Sequence, residues 1–305
     1  MLNHLKYELC GTMAEDLLLV CGEEILHVSN LSVNRSGNEV IQDINMSITC
    51  GEFVGIVGPN GGGKSTLILA ILGLLKPRTG QINVYGKAPM SKATIGRIGW
   101  VPQAATELPH NLRITVKEFI QLGLLSSNFL RQYLDFFISP PAFFKQRKKN
   151  QIKIDKIIET VGLEQYANTM ISNLSGGQRQ RAAIGKALAS EADLLLMDEP
   201  MVGVDVDSRN SIMRLLDNLC HDQNKTIVMI SHDLASMKRT AHRMIYLEHK
   251  IRYDGIAEDF PDLSSLAELR GIEATHPEAD STKSDVTKSD DVVIIVSPGI
   301  EGGES

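Results

Sequence analysis

The sequence predicts an α/β fold: a largely parallel sheet covered by helices, led by an antiparallel β hairpin and interrupted by an inserted helical segment. Three observations carry this expectation. Short apolar runs alternate with amphipathic stretches from Phe53 to Val101 and again from Leu194 to Leu247, the pattern of consecutive βα units. Between them, from about Ala104 to Asn173, the pattern becomes helical. Ahead of them, Glu24–Val33 and Val40–Ile48 alternate apolar and polar residues across the turn-rich stretch Asn34–Asn38, as the arms of a hairpin do.

Taken in order, residues 1–24 read as an extension before the first strand. The hairpin follows, and then Phe53–Val57, a short apolar run entering a glycine-rich turn. Leu67–Leu75 continues as a helix that ends near Lys76–Pro77, where proline cannot extend it. Gln81–Tyr85 and Ile98–Val101 read as strands. In the helical segment, placed at about 104–173, Val116–Leu125 and Ile152–Val161 are the clearest helices. Alternation then resumes. Leu194–Met197 is a buried strand, Ser208–Cys220 an amphipathic helix, Thr226–Ile230 a strand, Leu234–Thr240 a helix and Met244–Leu247 a strand. The main domain spans 25–256. Residues 257–305 form a C-terminal extension, polar and acidic from Thr275 onward and read as a mostly disordered tail, with an unassigned apolar island at Val292–Val296.

Composition narrows the function. A chain of 305 residues with 43% hydrophobic content buries a core without disulfides. The net charge is −6, without the basic excess of a general nucleic-acid binder. Residues 274–305 hold seven acidic residues and two lysines, net −5, which leaves the body near −1. Cys10, Cys21, Cys50 and Cys220 are scattered with no CxxC pair, which suits reduced thiols in a cytosolic protein. No stretch reaches the roughly 18 apolar residues of a spanning helix, and Leu17–Cys21 makes a poor signal peptide. Any action on a membrane therefore runs through a partner.

The strongest motif is Gly58-Pro59-Asn60-Gly61-Gly62-Gly63-Lys64-Ser65-Thr66. It fits GxxxxGK[ST] between a strand and a helix, the context of a phosphate loop. Glycines let backbone N–H groups turn inward around phosphate oxygens, and the helix starting at Lys64 adds a favourable dipole end. Lys64 would reach the β- and γ-phosphates, and the Ser65 hydroxyl would ligate Mg²⁺. Downstream, Leu194–Met197 runs into Asp198, Glu199 and Pro200. At the carboxyl end of a parallel strand, Asp198 would hold the Mg²⁺ hydration shell and Glu199 would polarise an attacking water. Alone, an Asp-Glu pair there could equally be a solvated turn. The upstream phosphate loop decides between the two readings.

Leu174-Ser175-Gly176-Gly177-Gln178 separates this chain from the many others with those two motifs. Taken alone, a serine and two glycines ahead of Arg179–Ala189 make a natural helix cap, and also an anion cradle. With its neighbours the segment resembles the LSGGQ signature of the ABC ATPase family and matches it in all five positions. The resemblance covers about residues 25–255. It implies a P-loop NTPase (RecA-like) core with an N-terminal antiparallel β subdomain and an inserted helical subdomain. It also implies that ATP is sandwiched between two head-to-tail copies, the phosphate loop of one facing Ser175, Gly176, Gly177 and Gln178 of the other. Gln103, in Trp100-Val101-Pro102-Gln103, resembles the Q-loop glutamine that touches Mg²⁺ or the attacking water. His232, in Ile230-Ser231-His232-Asp233, resembles the switch histidine, and Gly203-Val204-Asp205 the D-loop. On their own, Gln103 and His232 would read as a loop glutamine and a satisfied histidine; their order and spacing lift them.

Two positions depart from the family pattern. Arg35 stands where an adenine-stacking aromatic is usual, and an arginine plane can stack on a base. Met201 stands where a threonine often follows Glu-Pro. Within the family, the phosphate loop, Pro200-Met201-Val202-Gly203-Val204-Asp205 and the His-Asp-Leu after Ser231 look like the branch that imports zinc and manganese. That resemblance implies ATP and Mg²⁺ as cofactors, and a second copy of the chain and an integral membrane permease as partners. It further implies an extracytoplasmic metal-binding protein in the same system, no nucleic acid, and a peripheral place on the cytoplasmic face of the membrane. His221, His232, His242 and His249 are not at ligand spacing on one helix and are expected to be solvated. The segment Asn128–Asn150 holds Phe129, Phe136, Phe137, Phe143 and Phe144 and ends in Lys145, Arg147, Lys148 and Lys149. It reads as a helical hairpin burying its own aromatics, or as a patch facing the membrane partner or lipid headgroups. Alternatives left open are another transporter ATPase, including an exporter, and a soluble ABC-type ATPase or regulator. A soluble nucleic-acid remodeller is disfavoured by the single ATPase unit and the lack of sustained heptads.

Overall fold

The computed structural model describes residues 22–91, 93–103, 113–124 and 140–261, with the backbone alone for 140–146. The chain separates into two compact units, Met1–Phe260 and Pro261–Ser305. The expectations for the N-terminal extension before Gly22, for 104–112, for most of the aromatic segment 128–150 and for the acidic tail lie outside the described residues.

Strands β1 (Glu24–Arg35) and β2 (Asn38–Thr49) form the expected hairpin, with Arg35 opposite Asn38. The turn is tighter than the sequence suggested. Only Ser36 and Gly37 lie between the strands, both at positive φ, the geometry that matches the twist of paired strands. β4 (Thr79–Val84) pairs with β1, giving an antiparallel sheet ordered β2-β1-β4.

The second sheet is ordered β5-β6-β7-β3-β8-β9. Its strands are β3 (Phe53–Val57), β5 (Ile98–Val101), β6 (Leu194–Asp198), β7 (Thr226–Ile230), β8 (Arg243–Glu248) and β9 (Lys250–Ile256). Every pairing is parallel except β8 with β9. All five residues of β3, β6 and β7 are buried, as unbroken apolar runs in a doubly covered parallel sheet must be. β9 was not anticipated. Its sequence KIRYDGI carries alternate exposed residues, and it enters through His249 at positive φ. A charged edge strand reads like a loop, and its charges also discourage pairing with other chains.

Helix α1 (Lys64–Ile71) seats Leu67, Ile68, Ala70 and Ile71 in one core with residues of both sheets, including Ile41, Ile44, Val54, Ile56, Leu194 and Leu196. It ends sooner than expected, just before Gly73 at positive φ, a conformation that stops a helix. In the inserted segment, α2 (Val116–Gln121) begins on a capping box between Thr115 and Glu118. It tightens into a 3₁₀ turn at Leu122–Leu124, and Leu125, the end of the expected helix, lies outside the described residues. α3 (Pro140–Thr160) is longer than the predicted Ile152–Val161. Exposed Arg147, Lys148 and Lys149 gave its first half no apolar periodicity to read. α4 (Gly176–Ala189) packs on both α2 and α3. α5 (Val206–Gln223) and α6 (Leu234–Thr240) complete the large sheet's cover.

Four segments singled out by the sequence now share one place. Strands β5, β6, β7 and β3 are neighbours pointing the same way, and their carboxyl ends lead into Gln103, Asp198–Glu199, His232 and the phosphate loop. A side-chain crevice outside the carboxyl ends of parallel strands is where such sheets bind ligands.

The junction of α2 and α4 depends on a missing side chain. A Cβ on Gly123 would sit 2.0 Å from the Lys186 carbonyl oxygen and 2.8 Å from the Ala189 Cβ. Gly123→Ala should therefore push the two helices apart and cost about 1–3 kcal/mol, read as a fall in Tm of several degrees. An unchanged Tm would mean that the helices do not meet this closely.

Candidate functional site

The phosphate loop leaves β3 at Gly58 and enters α1 at Lys64. Gly58 has φ 146°, and a Cβ there would lie 2.1 Å from the Leu247 carbonyl oxygen. Gly63, at φ 98°, would drive its Cβ to 2.2 Å from Ile41 Cγ2. Glycine is thus required twice, by conformation and by close approach. The β8–β9 turn braces the loop from outside, since His249 N–H donates to the Gly62 carbonyl at 2.9 Å. Pro59, Asn60 and Gly61 form the outer bend.

Lys64 is 6% exposed. Its Nζ donates to the carbonyl oxygens of Gly58 at 3.0 Å and Pro59 at 2.9 Å. Burial pulls its pKa down, and Glu199 and Asp198 push it back up. The ammonium spans the inside of the loop, where an anion would find it already desolvated. Lys64, Ser65 and Thr66, with Asn60, Gly61, Gly63, Arg35, Val40 and Glu199, line a cleft of about 360 Å³.

Asp198 closes β6. It is 9% exposed, and its Oδ1 has no hydrogen-bond partner. Burial raises its pKa, opposed by a hydrogen bond with Ser65, while Glu199 adds to the rise. Glu199 sits at φ 48°, a strained conformation for a non-glycine residue. Its N–H is fixed to the Ile230 carbonyl at 3.1 Å. His232 Nε2 donates to Glu199 Oε1 at 2.6 Å, and Gln103 Nε2 reaches Oε2 at a long 3.5 Å. Residues 96 and 33 positions away in sequence thus meet on one carboxylate.

The segment Ser175–Gln178 stands apart. Ser175 caps α4 in a reciprocal box: its Oγ accepts from Gln178 N–H at 3.3 Å, and its own N–H donates to Gln178 Oε1 at 2.9 Å. Its glycines permit close packing. A Cβ on Gly176 would meet the Gly203 carbonyl oxygen at 2.8 Å, and one on Gly177 the Ser208 Cβ at 2.5 Å. No residue of 175–178 lines the phosphate-loop cleft. The helix-cap reading holds within one copy of the chain, where this segment lies outside the chain's own phosphate-loop cleft. Asp205 caps α5, accepting from Ser208 N–H at 2.9 Å.

A divalent cation fits beside Asp198: the buried Oδ1 lacks a partner, and the Ser65 hydroxyl bonds the same carboxylate. Oxygen donors of this kind suit Mg²⁺. The histidines fare differently. Among the described residues, Cys220, His221 and His242 bring potential ligand atoms within 4.8 Å of one another. Yet His242 Nδ1 accepts the Phe53 N–H at 3.1 Å. Burial, with His221, holds its pKa down, so the neutral ring keeps its proton on Nε2 and has no lone pair to offer. Sequence reading placed Arg35 at the cleft but missed Val40, which flanks Gly63 from β2. Only the facing of hairpin and loop could have signalled it.

Comparison with known proteins agrees with this fold. The family model described as ABC transporter matches residues 41–202. The zinc uptake system ATP-binding protein ZurA of Listeria monocytogenes is 32% identical over 81% of this chain and 94% of its own. The manganese transport system ATP-binding protein MntB of Halalkalibacterium halodurans is 32% identical over 84% and 96%. Among solved structures, the ADP conformation of the ATP-binding cassette MJ1267 superposes with a TM-score of 0.67 at 25% identity, over 82% of this chain and 98% of that one. The dimeric post-hydrolysis state of MJ0796, bound to ADP and Pi, gives 0.62 at 27% identity, over 77% and 100%.

The raised pKa of Asp198 has a definite sign. The folded chain binds a proton there more readily than the unfolded chain, so stability is fully present below the unfolded pKa and is lost as pH rises through the folded one. At neutral pH the ionised carboxylate is a cost. Asp198→Asn should raise the Tm of the nucleotide-free protein by roughly 2–6 °C at pH 7. The advantage should shrink as pH is lowered through the folded pKa. Thermal melts of both proteins across pH check it, and a less stable Asn variant at pH 7 would contradict it.

Proposed function

The chain belongs to the ABC transporter family as an ATP-binding subunit, and on that footing we propose that it hydrolyses ATP to drive import of a divalent metal ion, zinc or manganese. The observation that carries the hydrolytic reading is the meeting of Gln103 and His232 on Glu199, beside a phosphate loop with a desolvated lysine.

The chemistry follows from these residues. Lys64 and the inward N–H groups of Gly58–Thr66 grip the β- and γ-phosphates, the lysine exchanging its loop carbonyls for phosphate oxygens. Arg35, at the hairpin's end, offers a planar face to the base. Ser65 and Asp198, with Gln103, hold Mg²⁺, which when bound neutralises phosphate charge. Glu199 polarises the attacking water as general base or water-positioning group. His232 keeps the carboxylate aimed and contacts the γ-phosphate.

One copy is not enough. Because Ser175, Gly176, Gly177 and Gln178 do not line the cleft of their own chain, a second copy supplies them to the γ-phosphate, head to tail. ATP favours the closed pair, products favour the open one, and the difference in affinity moves the inserted helices. No helix among the described residues is long and apolar enough to cross a membrane. Movement is delivered to an integral permease at the cytoplasmic face. The metal itself is chosen by that permease and an extracytoplasmic binding protein, in keeping with the names of the zinc and manganese relatives.

Glu199→Gln should lower steady-state hydrolysis by about a hundredfold or more while ATP drives the variant into a stable dimer. Light scattering after gel filtration reads the dimer directly. A variant that stays monomeric with ATP, where the parent dimerises, would defeat the paired-site mechanism.

The cargo needs a separate experiment. The complex co-purified with its permease and reconstituted in vesicles should accumulate zinc or manganese in an ATP-dependent manner, and Lys64→Ala should abolish this. Uptake of neither ion by an ATP-hydrolysing complex would overturn the metal assignment alone.

A further inference from the structure

Arg209 lies in the first turns of α5, outside every motif in the sequence and outside the nucleotide cleft. Its guanidinium faces two loops at once. One terminal nitrogen donates to the Val204 carbonyl at 3.3 Å, and the other lies 3.7 Å from Asp233 Oδ2. Its Nε is buried with no hydrogen-bond partner, so the side chain is held in place without full satisfaction. On one side, Val204 belongs to the loop 203–205, against which Gly176 and Gly177 pack. On the other, Asp233 directly follows His232.

Asp233 is itself well anchored. Its Oδ1 accepts from Ser236 N–H at 3.0 Å and its Oδ2 from the Ser236 hydroxyl at 2.6 Å, and its own N–H donates to Ser231 Oγ at 3.0 Å. Burial pushes its pKa up, but the Ser236 bonds and the charges of Arg209 and Arg239 outweigh that and leave it below the usual carboxylate range. A charged Asp233 therefore fixes both the start of α6 and the turn that carries His232, and Arg209 ties this turn to the neighbouring loop.

We infer that Arg209 is a positioning residue that couples the two halves of the machinery within one copy of the chain. The segment Ser175–Gln178, which serves the other copy's nucleotide, rests on 203–208. That stretch is pinned by Arg209 to the Asp233 turn, and His232 on that turn bonds Glu199, which serves the chain's own nucleotide. Displacement of either end is transmitted through one guanidinium. This rests on the paired-site reading above and adds a connection that reading does not require.

The test uses the full chain and steady-state ATP hydrolysis. Arg209→Gln should lower kcat roughly tenfold, as a displaced catalytic group does. KM for ATP should stay within about twofold, because the residue does not touch the nucleotide. Asp233→Asn, which keeps the cap but removes the charge, should act similarly, and the double variant should be no worse than the weaker single one, since both break one link. Arg209→Lys, retaining charge but not the fork, should fall between parent and Gln variant. A merely structural role would instead lower bound-nucleotide stoichiometry and kcat together. Losses that multiply in the double variant, or parental kcat in Arg209→Gln, would overturn the coupling. A parent whose hydrolysis is insensitive to Lys64→Ala would overturn the underlying reading instead.

Discussion

Register between adjacent parallel strands is the constraint on which the rest of this molecule depends. Asp198 is level with Ile230, Ile230 with Ile56, and Val101 with Met197. The residues that follow these ends are the phosphate loop, the carboxylates, His232 and Gln103. A slip of one residue between two strands would turn alternate side chains to the opposite face and separate groups that must meet within a few ångströms. All five residues of β3, β6 and β7 are buried, and close packing on both faces resists that slip, because a shifted register would set each side chain into a space shaped for another. The core thus acts as the alignment jig for polar groups outside it.

Polar alignment of this kind has a cost that the fold does not hide. Asp198 is ionisable, buried and short of one partner, Glu199 holds a left-handed backbone, and Lys64 is desolvated against its own loop. Each is unfavourable in the free chain, at about 1–3 kcal/mol for features of this kind. Two of these features would ease when a ligand arrives: a cation would satisfy the orphan oxygen, and a phosphate would accept from the lysine. The backbone of Glu199 keeps its strain and with it the aim of its carboxylate. On the proposed reading, the cost gathered at one place prepares the site for Mg²⁺ and a triphosphate, and the apolar core elsewhere carries the deficit.

What the sequence revealed and what it withheld follow a single physical line. Motifs whose meaning lies in a few consecutive residues were legible: the loop 58–66, the Asp198–Glu199 strand end, and Ser175 ahead of α4. So were strands with unbroken apolar runs, down to the same bounds for Thr226–Ile230. Features set by partners distant in the chain were not. β9 has charged alternate positions and gains its structure from its ladder with β8 and from contact with β2. The first half of α3 lacks an apolar stripe. Val40 matters because the hairpin folds over Gly63, and Arg209 because Val204 and Asp233 converge on it. The early ends of α1 and α2 fall between these cases: Gly73 and Gly123 are visible as glycines, but the backbone approach that makes Gly123 necessary comes from α4.

The double use of Ser175 resolves the tension between its two readings. As a cap it only accepts, taking the Gln178 N–H on one lone pair, while Gln178 returns the favour to the Ser175 N–H. A serine hydroxyl has one proton and two lone pairs, so the cap leaves its donor available. The capping box also fixes the orientation of Oγ, and the packing of Gly176 and Gly177 on 203–208 fixes the helix end itself. A preoriented hydroxyl at a helix N-terminus suits an anion, and because Ser175 and its glycines do not line the phosphate-loop cleft of their own chain, the paired arrangement we propose sets them against a phosphate held by a second copy.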